Sequence, residues 1–268
     1  MYKVILLTSD SLRHKYFFTK FIKSNVEVLA CYSEKTKSLK NSDYTDLNNF
    51  QKIHFTERAR VEKDFFEEYV NLNFISEKWN EVEKNYVNSK PCIDMIKKLN
   101  PDFIVCYGCS IIDQGTIDIF RGKILNVHLG LSPYYLGSAT NFHPLCEGKP
   151  ELIGYTFMFM DEGVDTGEII HQGRCKNINV FDNSHHIGCK IIKQMSEEFI
   201  KVVENFKQLE KLDQPSFEYS KVCVRSDATY EKTLTMYDRF NNQMVLNYLK
   251  NRNERDFKYP ILKQKFLK

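Results

Sequence analysis

An amide, an imidazole and a carboxylate stand in this chain at spacings that let them meet. Asn126 and His128 lie two apart in the short apolar run at residues 123–128, KILNVH. Along a strand such residues point to one face. A second apolar run, residues 152–160, ends in the polar turn Asp161-Glu162-Gly163-Val164-Asp165-Thr166-Gly167, which places a carboxylate at a strand end as well. The three groups could converge at one sheet edge. An amide donor, a titratable ring and a carboxylate are the parts needed to hold an oxyanion and to move a proton.

Between these runs lies a stretch, residues 129–150, rich in Gly, Pro, Ser and Tyr and too long for a plain connector. Tyr134, Tyr135, Ser138, Thr140 and Asn141 could hydrogen-bond to or stack on a substrate there, although each taken singly suits a structural role. His143 reads as a structural histidine in a turn. His185 and His186 open a helix, where neighbours face about 100° apart, so they make a poor metal pair. Cys106-Tyr107-Gly108-Cys109 has the form C-x-x-C but lacks the second pair that zinc would want. The eight cysteines are scattered, several within apolar stretches, as buried reduced thiols would be.

The elements that must position these groups alternate. Residues 3–8 (KVILLT) read as a buried parallel strand, residues 12–24 as a helix behind the cap candidates Ser9, Asp10 and Ser11, and residues 26–32 as a second strand. This is a βαβ unit, whose first loop is a usual ligand site. Arg13 and His14 sit at that loop-to-helix junction, where an anion would be favoured. Residues 33–49 read as a polar surface loop, 56–70 as a charged helix and 91–99 as a helix with Pro in its first turn. Residues 102–107 form another buried strand, followed by a loop and a short helix to Phe120. Residues 169–173 return as a strand. Asn183 or Ser184 caps a long core-packed helix, and residues 226–250 repeat helically. The alternation predicts an α/β fold: a doubly wound, mainly parallel sheet over residues 1–206, with a small helical C-terminal appendage over 207–268.

The net charge of +3 on 268 residues is interspersed and gives no argument for a nucleic-acid partner, so none is expected. The start lacks the features of a signal peptide and no run approaches a membrane span, so a cytoplasmic protein with no membrane partner is expected.

N-x-H before a Pro/Gly loop, followed by D-E-G-V-D-T-G-E-I-I, resembles the folate-dependent formyltransferase family, over about residues 1–206. The resemblance implies a Rossmann-like formyltransferase fold with Asn126, His128 and Asp165 as the catalytic set. It implies N10-formyltetrahydrofolate as co-substrate, bound by Tyr107, Gly108, Cys109, Ser110 and Ile111 with Asp161 and Gly163, and no metal. Many members carry an Arg where this chain has Leu136. The glycine-rich first loop of the purine-pathway enzyme is replaced by Thr8-Ser9-Asp10-Ser11-Leu12-Arg13-His14, and the basic C-terminal β domain of the tRNA enzyme by a tail that reads helical. The chain is most similar to bacterial enzymes that N-formylate the 4-amino group of a nucleotide-linked sugar for surface polysaccharide, such as O-antigen. Arg13, His14 and the central-loop residues Tyr134, Tyr135, Ser138, Thr140 and Asn141 would then contact the nucleotide-linked amino sugar. Alternatives are another formyltransferase of the family, acting on glycinamide ribonucleotide or methionyl-tRNA, a formyltetrahydrofolate hydrolase, and last a non-catalytic nucleotide-binding module. The sequence leaves the assembly open, a homodimer included.

Overall fold

The computed structural model describes residues 1–36, 48–216 and 220–267. Most of the surface loop read at 33–49 lies outside the described residues. Seven strands form a mainly parallel sheet in the order β3-β2-β1-β4-β5-β7-β8, with helices on its flanks, which is the doubly wound α/β fold expected. The strands are β1 (Lys3–Ser9), β2 (Glu27–Glu34), β3 (Trp79–Val82), β4 (Phe103–Tyr107), β5 (Ile124–His128), β7 (Tyr155–Phe159) and β8 (Ile169–Gly173). A separate two-stranded sheet pairs β6 (Tyr135–Gly137) with β9 (Lys221–Cys223) in parallel. The chain divides into two compact units, Met1–Leu125 and Asn126–Lys268. Residues 207 onward thus belong to the second unit, in which β9 pairs with the central loop.

In the first unit, β1 pairs in parallel with β2 and β4, and β2 with β3. Val4, Ile5, Leu6 and Leu7 are buried on both faces, as their unbroken apolar run requires. Helix α1 (Leu12–Ile22) buries Phe17, Phe18 and Phe21, each contributing about 2 kcal/mol of apolar burial. Its Tyr16 packs on Phe66 of α2 (Asn49–Asn73), with ring centroids 4.8 Å apart. Helix α2 starts well before residue 56 because Asn48 and Gln51 close a capping box. Helix α3 (Lys90–Leu99) keeps its proline in the first turn, behind a Ser89 cap, and α4 (Gln114–Ile119) is capped by Asp113.

In the second unit β7 and β8 run antiparallel, and the long helix α6 (Ser184–Glu204) covers them. Phe157 meets Phe199 of that helix at 4.8 Å between centroids. Asn183 caps α6, and His186 completes the capping box, so its ring serves the helix start. The central loop holds β6 and the short helix α5 (His143–Cys146). The helical repeat expected over 226–250 is two helices, α7 (Tyr230–Asn241) and α8 (Met244–Lys250), because Gln243 between them is left-handed at φ 60°. A short α9 (Arg252–Phe257) follows.

Candidate active site

Strand alternation turns Asn126 and His128 toward a single carboxylate in the second unit. Asn126 Nδ2 donates to Asp165 Oδ1 at 2.9 Å, and His128 Nδ1 stands 3.2 Å from Asp165 Oδ2. A third donor, the backbone N–H of Gly137, reaches the same Oδ2 at 2.8 Å. His128 is 6% exposed and Asp165 13%. A carboxylate only accepts, so the proton between His128 and Asp165 sits on Nδ1. Nε2 faces the Tyr135 carbonyl across a long 3.3 Å contact and is the ring atom left for other chemistry.

The backbone around these groups is specialised. Asp165 adopts φ 55°, the left-handed region that costs a non-glycine residue about 1–2 kcal/mol and that Asp tolerates better than most. Its turn is tied by Asp161, whose Oδ1 accepts from Gly163 N at 3.1 Å and from Thr166 Oγ1 at 2.8 Å. Gly130 follows the histidine because a Cβ there would lie 2.5 Å from both His128 Nε2 and Thr140 Oγ1. Gly137 is held by β9, which pairs Gly137 with Cys223, while Ser138 N donates to the Cys223 carbonyl at 2.8 Å. The tail therefore fixes the backbone donor that Asp165 uses.

The other central-loop residues spend their polar atoms on the protein. Tyr135 is buried, its hydroxyl donating to Glu147 at 2.8 Å. Burial pushes Glu147 up, but hydrogen bonds from Lys221, Tyr135 and Lys149 outweigh it and hold the carboxyl at about 2. Tyr134 donates to the Pro260 carbonyl at 2.7 Å and Thr140 to that of Leu129 at 2.6 Å. Asn141 pins Gly154 through both its N–H and its carbonyl. Ser138 is exposed, and Leu136 is buried, so no cation is presented at position 136. His143 is buried at the start of α5, with its pKa lowered by burial and then by Lys232 and Lys221.

In the first unit the loop after β4 is pinned from below. The fully buried carboxylate of Glu34 accepts from Ser110 N and Ser110 Oγ, both at 2.7 Å. Asn88 Nδ2 donates to the Ile111 carbonyl at 2.8 Å. Tyr107 is buried, Gly108 takes φ 71°, Cys109 is half-buried and Ile111 is exposed. The thiol of Cys106 is pushed well up by its hydrogen bond with Cys109 and by burial, the opposite of a reactive thiolate. All eight cysteines are free.

Arg13 and His14 are not placed as free cations. Arg13 Nη1 pairs with Glu62 at 2.8 Å, both side chains mostly covered. His14 is 3% exposed, and burial, followed by the charges of Arg13 and Arg58, lowers its pKa well below the ordinary range. Its Nδ1 lies 2.7 Å from Ser11 Oγ and 2.9 Å from Ser9 Oγ, and its Nε2 rests against Gly108. A neutral ring enclosed in this way shapes the loop rather than meeting a phosphate.

Sequence reasoning missed the Gly137 N–H, the Tyr135 carbonyl and the Glu34 anchor. The first two are backbone groups that carry no residue-type signal. Glu34 ends an apolar strand, where a lone carboxylate that must be buried is a readable cue.

Comparison with known proteins gives the family and the fold. Among curated proteins, the methionyl-tRNA formyltransferase of Finegoldia magna is 31% identical over 130 residues, 46% of this chain and 41% of that one. The chain spans less than half the length of the curated relatives it matches first. Among solved structures, a 4-N formyltransferase from Francisella tularensis superposes with a TM-score of 0.55 at 18% identity, over 89% of this chain and 87% of that one. Phosphoribosylglycinamide formyltransferase from Anaplasma phagocytophilum gives 0.55 at 13%, over 84% and 98%. At such identities the likeness is one of fold. Residues 5–203 match the family described as formyl transferase, a span that holds both the N-x-H strand and the turn with Asp165, and the chain belongs to that family.

Proposed function

We propose that this chain transfers a formyl group from N10-formyltetrahydrofolate to the amino group of a nucleotide-linked amino sugar. The observation that carries the reading is the convergence of Asn126 Nδ2 and His128 Nδ1 on the two oxygens of Asp165. The amine nitrogen attacks the formyl carbon, the bond from that carbon to folate N10 breaks, and a proton passes from the attacking to the leaving nitrogen. Asn126 keeps a second amide hydrogen for the tetrahedral oxyanion, and His128 faces it through Nε2 when the ring, with Nδ1–H on Asp165, also carries a proton at Nε2. Asp165, loaded with three donors, orients both side chains and relays protons through water. The loop of Tyr107, Gly108, Cys109, Ser110 and Ile111, with Asp161 and Gly163, is proposed to serve the folate. Residues 1–206 are proposed as the catalytic domain.

The acceptor reading rests on Leu136, which removes a cation many relatives have, and on a first loop without the purine enzyme's glycines. Methionyl-tRNA is the second reading, because the curated relatives are methionyl-tRNA formyltransferases. The test is tetrahydrofolate release in the presence of a nucleotide-linked 4-amino sugar, of methionyl-tRNA, or of no amine. Release with the sugar alone supports the proposal. Release only with the tRNA moves the acceptor, release without amine indicates a hydrolase, and no release under any condition rejects catalysis.

A further inference from the structure

A polar cavity of about 120 Å³ in the second unit has no part in the reaction just described. Its charged lining is Arg174 and Lys176 after β8, Glu198 on α6, Arg252 and Asp256 on α9, and Lys263 of the tail. Four cations thus face two carboxylates, and three of them take both. Lys176 takes Glu198 at 2.9 Å, while Arg174 and Arg252 share Asp256 at 3.7 and 3.6 Å. Among the described residues Lys263 has no ion-pair partner. Its pKa is lowered by burial and by the charges of Arg174 and Lys176, as expected where positive charge is in excess.

The guanidinium groups are fixed before any ligand arrives. Arg174 donates through Nε to the Glu151 carbonyl at 2.6 Å and through Nη2 to that of Tyr259. Arg252 donates to the carbonyls of Lys176 and Cys175 at 3.0 and 2.6 Å. The tail that brings Lys263 is held as firmly. Gln172 N donates to the Leu262 carbonyl at 2.7 Å, Leu262 N to Gln172 Oε1 at 2.9 Å, and Gln264 N to His171 Nδ1 at 3.1 Å. Preorganised cations around a small polar space cost little to bring onto an anion.

We propose that this cavity binds a phosphate-sized oxyanion, with Lys263 and Arg174 as its principal partners and Lys176 at the rim. The group comes either as the free ion or as the phosphoryl end of a small ester. Isothermal titration of the full chain with inorganic phosphate, and separately with a sugar monophosphate, distinguishes the two. Saturable binding of either probe is expected, weakened about tenfold by Lys263→Gln and abolished by Lys263→Glu. Asp256→Asn should tighten it, because the arginines lose a competitor while the Tyr248 hydroxyl keeps an acceptor. Circular dichroism on each variant verifies folding. Binding of neither probe overturns the site. So does binding that Lys263→Glu leaves unchanged, because the ion then sits elsewhere on the chain.

Discussion

Among its described residues the second unit holds two histidine–carboxylate pairs of nearly equal length. His128 and Asp165 stand 3.2 Å apart, His171 and Glu198 3.1 Å. They differ in what surrounds them. His171 Nδ1 accepts the backbone N–H of Gln264, which puts the ring proton on Nε2 toward Glu198. Glu198 also takes the Tyr155 hydroxyl and the Lys176 ammonium, and that pair is complete. His128 keeps Nε2 on a long carbonyl contact, Asn126 keeps an amide hydrogen, and Asp165 sits in a left-handed turn. A saturated pair holds structure, and an unsaturated one on strained backbone is equipped to act.

The largest effect expected from breaking this contrast is on stability at the saturated pair. His171→Ala should destabilise the protein by about 3 kcal/mol, because it strips a donor from a buried carboxylate. Urea unfolding measures this, and turnover per folded molecule should stay near that of the unmodified protein. Asp165→Asn should do the reverse. Asn tolerates the left-handed backbone, but its NH2 deprives one of the three donors of an acceptor, so stability should fall by only about 1–2 kcal/mol while turnover falls about a hundredfold with the loss of orientation. Melting curves beside steady-state kinetics separate the two outcomes.

Gly130→Ala sharpens the comparison with one methyl group. Its Cβ would displace the His128 ring or Thr140, and turnover should fall about tenfold or more with a smaller loss of stability. The acid limb of stability tests Glu198 by difference from its variant, because Glu147 is held at about 2 as well. Burial pushes its carboxyl up, but hydrogen bonds from His171, Tyr155 and Lys176 outweigh it and bring the pKa from 4.5 to about 2. The contribution is therefore complete above 4.5 and is lost as pH falls toward 2. Glu198→Gln should make this stretch of the stability-versus-pH curve shallower, leaving the slope that Glu147 supplies, and lower the plateau above it. The smallest effect is expected at Arg13. Glu62 keeps Arg58 at 3.5 Å when Arg13 is removed, so the loss of this mostly covered pair should cost only about 1 kcal/mol, and Arg13→Ala should leave the acceptor KM unchanged. A several-fold rise in that KM would restore the phosphate contact that the sequence suggested.

Much of this was legible where one signal dominated. β8 and the Asn183-capped α6 are legible nearly residue for residue, because two isoleucines between a polar turn and Gly173 bound the strand and a repeat of three or four marks the helix. β3 was missed because only Trp79 of its four residues is buried, so no pattern forms. β7 was read too long because Pro150–Leu152 coil into a 3-10 turn, and apolar content alone does not separate turn from strand. Asn126, His128 and Asp165 were found by side-chain type and spacing. What holds them was not, since Gly137 and Tyr135 contribute backbone atoms and β9 arrives from the tail by long-range pairing. Arg13 and His14 stand where the sequence put them, at the start of α1, but their partners Glu62, Ser9 and Gly108 depend on packing.

The central claim is that His128, and not the equally paired His171, acts on the formyl group. Single-turnover transfer from N10-formyltetrahydrofolate to a nucleotide-linked 4-amino sugar, followed for His128→Ala and His171→Ala at equal folded concentrations, tests it directly. The prediction is a fall of about two orders of magnitude or more for His128→Ala and a rate near that of the unmodified protein for His171→Ala. Equal rates for the two variants, or a deeper loss with His171→Ala, would contradict it.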